Sequence, residues 1–72
     1  MVNRLKVRRT ELGLIQLRVA QKVGMTAPRL SLIENDLAEP TAAEIKALAR
    51  ALETTPDAIF PGVAQSASQE SR

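Results

Sequence analysis

Residues 16–34, QLRVAQKVGMTAPRLSLIE, constrain this chain more than any other stretch, because one glycine separates two short segments of helical pattern. Gln16 to Val23 is long enough for about two helical turns. Gly24 then permits the left-handed backbone that ends a helix at little steric cost. Thr26 can cap the following helix by accepting from an unpaired backbone N–H, and Pro28 falls in the first turn, where a missing N–H does little harm. Val19, Val23, Met25, Leu30 and Ile33 are spaced to meet in one small core, and Ala20 is small enough for two helices to cross closely. These residues predict two helices set at an angle by a tight turn. Such a unit can present its second helix to the major groove of DNA.

The remaining pattern is helical throughout. Leu5, Arg9 and Leu12 recur at spacings of four and three, predicting a helix over 3–12 that Gly13 stops. Asn35, Asp36 and Pro40 bracket a loop. Thr41 and Glu44 form a capping box, in which hydroxyl and carboxylate each satisfy a backbone donor. The helix they open, about 42–53, places Ile45, Leu48, Ala49 and Leu52 on one face. Thr55 and Pro56 signal a short fifth helix running to about Phe60, and Pro61-Gly62 breaks it. The expected domain is therefore 1–62, and the polar, aperiodic residues 63–72 are expected to be a disordered tail. Five helices in some sixty residues leave no room for a sheet, so the fold class is all-α.

Composition narrows the chemistry. Among the 72 residues there is no cysteine and no histidine, which removes disulfides, thiolate metal sites and the usual general base. No paired arrangement of carboxylates or lysine suggests catalysis, so neither an enzyme nor a metal or cofactor is expected. The chain has no run of eighteen apolar residues, and its start lacks the apolar stretch of a signal peptide, so a cytoplasmic protein is expected. The net charge of +2 is unevenly spread. Residues 1–35 carry seven basic side chains against Glu11 and Glu34, a net +5, whereas residues 36–72 carry three against six acids, a net −3. The positive half holds the two-helix unit, which favours a polyanion on one face.

The motifs together resemble a known family. Arg9, Leu12-Gly13-Leu14, Gln16, Ala20, Gly24, Ile33-Glu34-Asn35, Pro40, Leu48-Ala49 with Leu52, and Asp57-Ala58-Ile59-Phe60 occur in the order and spacing of the Cro and phage-repressor group of helix-turn-helix regulators, the XRE family. The resemblance covers about residues 4–60 and implies a lambda-repressor-like five-helix bundle. It implies that Gln16 and Asn35 contact DNA phosphates, and that Arg9 and Glu34 form a buried structural ion pair. It places the base-facing positions at Ala27, Pro28, Arg29 and Leu32, with Arg18, Lys22 and Ser31 as further phosphate contacts. Arg29 then reaches either a guanine edge or a phosphate. Arg4, Lys6 and Arg8 read as diffuse positive charge. Ile59, Phe60 and Val63 read as core edge or as dimer contacts, and they stand where the family often pairs, implying a homodimer.

Several positions depart from the family's habit. Ala27, Pro28 and Leu32 cannot make the paired hydrogen bonds to base edges that glutamine or arginine makes; they can only touch thymine methyl groups. The loop after the third helix reads Asp36-Leu37-Ala38-Glu39 where lysine or arginine is common. Ile15 replaces a capping serine, threonine or asparagine. The resulting expectation is a repressor that binds an inverted-repeat operator on double-stranded DNA as a homodimer. The alternatives are an antitoxin or a controller of a mobile element or restriction system, with a toxin or polymerase as protein partner, and a protein-interaction module that has lost DNA binding.

Overall fold

Four successive helices end in the same way, and that repetition shapes the bundle. The computed structural model describes residues 3–61. Within them lie α1 (Leu5–Glu11), α2 (Gln16–Val23), α3 (Ala27–Glu34), α4 (Ala42–Ala51) and α5 (Pro56–Ile59), with no strand among the described residues. After α1 to α4 the backbone turns through one residue of positive φ, at Gly13 (69°), Gly24 (78°), Asp36 (59°) and Glu53 (54°). The next amide then reaches back to the last turn: Leu14 to Arg9, Met25 to Ala20, Leu37 to Leu32 and Thr54 to Ala49, at 2.8–3.1 Å. These bonds satisfy carbonyls that a helix end leaves unpaired.

The helix starts are capped mostly as expected. The hydroxyls of Thr26, Thr41 and Thr55 accept from the backbone N–H groups of Arg29, Glu44 and Ala58, and the Glu44 side chain returns a bond to Thr41. Two boundaries differ from the sequence reading by two residues. α1 begins at Leu5 rather than residue 3, because the Asn3 side chain takes up the Leu5 N–H at 3.0 Å from outside the helix. α4 stops at Ala51 rather than about residue 53, because Glu53, a residue with no intrinsic liking for it, takes the left-handed conformation.

One apolar core unites the bundle. Leu5, Val19, Ala20, Leu30, Ile33, Leu48, Ala49, Leu52, Ile59 and Phe60 are buried, and Leu12, Leu14, Val23, Met25, Ala38 and Ile45 pack around them. Every helix contributes: α2 packs against both α3 and α4, and α5 packs on α4. Polar links fasten the ends. The Arg4 amide donates to the Ile59 carbonyl at 2.8 Å, and the Asn3 amide group donates to the Ile33 carbonyl at 2.8 Å and to Asp36 at 2.9 Å. Arg8 donates to the carbonyls of Leu52 and Glu53, neutralising the negative end of α4. Its charge therefore serves the fold and is not merely diffuse. No helix among the described residues is long and apolar enough to cross a membrane.

Candidate nucleic-acid interface

The face of α3 turned away from the core is the candidate surface. Leu30, Ile33 and Glu34 are buried, which leaves Pro28, Leu32 and Asn35 exposed at spacings of four and three along the outer side. Ala27, Arg29 and Ser31 flank them, half-buried. Arg18 and Lys22 stand exposed on α2, beside Leu17 and Gln21. α2 itself begins without a side-chain cap: Ile15 offers no acceptor, and its first turn holds no acid. Its leading N–H groups and the positive end of its dipole are thus left for an outside anion or solvent.

Behind this surface lies a polar knot. Arg9 meets Glu34 side-on, with Nε donating to Oε2 at 2.7 Å and Nη2 to Oε1 at 3.3 Å. The Glu34 side chain is 1% exposed and that of Arg9 12%. Nη1 of Arg9 donates to the Leu14 carbonyl at 2.9 Å, so the guanidinium also pins the turn between α1 and α2. The amide of Gln16 donates to Oε1 of Glu34 at 2.8 Å. Three helices thus converge on one carboxylate, and no buried side-chain polar atom among the described residues lacks a hydrogen-bond partner. The Gln16 amide faces inward here, while its backbone opens α2.

Arg29 is placed differently from the sequence expectation of a donor held out toward DNA. Its Nε and Nη2 donate to the two carboxylate oxygens of Glu44 at 3.3 and 2.8 Å, and Nη2 also donates to the Glu39 carbonyl at 3.0 Å. The guanidinium therefore ties α3 to the first turn of α4 and to the loop between them. Its hydrogen bond holds the Glu44 carboxyl below the usual carboxylate range, with the Thr41 backbone N–H acting the same way, and Arg29 is raised in turn. Asn35, although exposed, is also engaged, its amide donating to the Ser31 carbonyl at 2.8 Å. Sequence reasoning missed Glu44 and Asn3 as anchors of this surface. The capping pattern identified Glu44, but nothing local showed that one carboxylate would serve both a cap and a distant arginine.

Ile59 and Phe60, expected at a dimer contact, are 1% and 4% exposed within the chain's own core. Their apolar surface is already used, so of the two readings they are core residues and not dimer contacts; Val63 lies outside the described residues, as does the tail 63–72. Among described residues, the large apolar side chains left exposed are Val7, Ile15, Leu17, Leu32 and Leu37.

Comparison with known proteins agrees with this architecture. The helix-turn-helix family pattern matches residues 5–59. The chain belongs to the helix-turn-helix family of Cro and phage-repressor type. The solution structure of the DNA-binding domain of the phage P22 c2 repressor is 30% identical, with a TM-score of 0.76, covering 82% of this chain and 78% of that one. The crystal structure of the P22 c2 repressor with a synthetic operator is 31% identical, with a TM-score of 0.72, covering 75% of this chain and 82% of that one. The SinR protein in complex with the SinI protein shares the fold at 23% identity, with a TM-score of 0.75, covering 88% of this chain and 62% of that one. No curated protein matches the chain in sequence.

Proposed function

We propose that this helix-turn-helix domain binds double-stranded DNA and regulates transcription, as a homodimer on an inverted-repeat operator. The observation that carries the reading is the pose of α3, buried by Leu30, Ile33 and Glu34 and exposed by Pro28 and Leu32, beside the cations of α2. α3 enters the major groove, with Ala27, Pro28 and Leu32 against base edges. Arg18 and Lys22, the start of α2 at Gln16, and the α3 end at Ser31 and Asn35 meet phosphates. That the P22 c2 repressor, a relative at 31% identity, is seen with an operator supports this assignment.

The chemistry of the reading face shapes the mode of recognition. Alanine, proline and leucine offer no donors or acceptors, so discrimination comes from contact with thymine methyl groups and from DNA shape, while phosphates supply most of the affinity. A two-fold dimer sets two copies of α3 about one turn of DNA apart, roughly 34 Å. Repression by occlusion of polymerase is the simplest outcome of such binding. No catalytic role is proposed.

Selection of bound sequences from a random duplex pool at fixed salt tests the proposal. An inverted repeat with half-sites one turn apart is expected, together with loss of its enrichment when Leu32 is replaced by aspartate. A pool that stays random after selection overturns sequence-specific binding and favours a protein-interaction role for the exposed apolar residues. Sedimentation of the protein on an enriched duplex tests the dimer, and a complex with one protomer would refute it.

A further inference from the structure

Resting on the reading that α3 faces DNA, we propose that Glu44 withholds Arg29 from phosphate and so lowers the salt-dependent part of DNA binding. Arg29 is the single cation of α3, since the helix sequence APRLSLIE holds no other. A guanidinium has five N–H donors in a fixed fork. Three are engaged: Nε and one Nη2 hydrogen on Glu44, and the second Nη2 hydrogen on the Glu39 carbonyl. Either two-pronged edge of the guanidinium includes Nη2. A bidentate contact to a phosphate or a guanine edge therefore requires release of Glu44 or of the Glu39 carbonyl.

The carboxylate is itself well anchored. Oε1 of Glu44 accepts from the Thr41 backbone N–H at 2.8 Å as well as from Arg29, while the Glu44 N–H donates to the Thr41 hydroxyl at 3.1 Å. Glu44 thus stands at the start of α4 as a resident anion, in the place a phosphate oxygen would take on Arg29. Binding to arbitrary DNA consists almost entirely of phosphate contacts. Removing one cation from that set weakens arbitrary binding, whereas the apolar contacts of Pro28 and Leu32 at a correct site are untouched. Because phosphate contacts also serve a correct site, the affinity there falls too, and the apolar contacts make up a larger share of what remains.

The test is the salt dependence of binding to a fluorescein-labelled duplex of random sequence, read by anisotropy. Glu44→Gln keeps the capping box, since glutamine serves at that position, but removes the charge that holds Arg29. The expected slope of log K against log salt is steeper than wild type by about 0.9, so a fourfold rise in salt costs E44Q about 3.5-fold more affinity than wild type. The double variant Arg29→Ala/Glu44→Gln returns to the wild-type slope, and Glu39→Gln, which removes a nearby charge but not the carbonyl, leaves it unchanged. Equal slopes for wild type and E44Q overturn the proposal, as does steepening that persists without Arg29 or is matched by E39Q. If wild type fails to bind the duplex even at low salt, the DNA-binding reading itself falls, and this inference with it.

Discussion

Removing either side chain of the Arg9–Glu34 pair is expected to destabilise the fold by about 3–5 kcal/mol, because the partner is left charged in a place water barely reaches. The structure argues for this range. Glu34 is nearly inaccessible and takes three side-chain bonds, two from Arg9 and one from Gln16, at 2.7–3.3 Å. Glu34→Ala strands the Arg9 guanidinium, whose remaining bond is to the Leu14 carbonyl, and leaves the Gln16 amide without its acceptor. Arg9→Ala strands the carboxylate and frees the Leu14 carbonyl. A domain of this size has a total stability on the order of 4–11 kcal/mol, so either change leaves a marginal protein. The double variant Arg9→Ala/Glu34→Ala removes both charges and should cost clearly less than the two single losses together, with a coupling of about 1–3 kcal/mol. Urea unfolding followed by circular dichroism measures all three. Single losses below about 1 kcal/mol, or losses that add without coupling, would refute the burial argument.

Two further outcomes follow from local geometry. Glu53 adopts φ 54° without being glycine; Glu53→Gly relieves roughly 1–2 kcal/mol of steric cost and loses roughly 0.5–1 kcal/mol to unfolded-chain entropy, for a net gain of about 0–1.5 kcal/mol in thermal unfolding. A lower melting temperature for that variant would contradict the assignment of strain. The second concerns acid. Because Glu44 is lowered in the folded state from its ordinary 4.5, its contribution is full above that value and is lost as pH falls through the folded value. Acid titration of stability should therefore be shallower in E44Q than in wild type below pH 4.5, and parallel curves would remove Glu44 from the account.

The helix order was legible because the chain is punctuated by residues with local physical reasons. Gly24 turns the backbone, Thr26, Thr41 and Thr55 accept from free amides, and Pro56 opens α5, each acting within four residues of itself. The end of α4 was harder, and the turn after α3 is of the same kind. Asp36 and Glu53 take the left-handed conformation without being glycine, held there by the amides of Leu37 and Thr54 reaching back to carbonyls. Side-chain propensity gives no warning of that. Apolar periodicity located Leu48, Leu52, Leu30 and Ile33 in the core, but it could not show that Ile59 and Phe60 are consumed by the same core rather than left for a partner.

The charges were the least legible, and the reason is distance along the chain. Arg8 bonds residues 44 and 45 positions away, and Arg9 bonds a partner 25 away, while Arg29 reaches Glu44 across 15. A long side chain carries no periodic mark of where its end will lie, so the sequence shows a positive half without showing which cations are committed. Three of its seven basic residues, Arg8, Arg9 and Arg29, are bound to acids or carbonyls of the fold. Arg4 and Lys6 remain at the start of α1, and within the two-helix unit the field offered to a polyanion falls on α2, at Arg18 and Lys22, rather than on α3. That separation follows from side-chain chemistry. On the proposed function, a helix that meets bases with alanine, proline and leucine gains little from a cation beside it, whereas a helix whose uncapped start already favours anions gains from two.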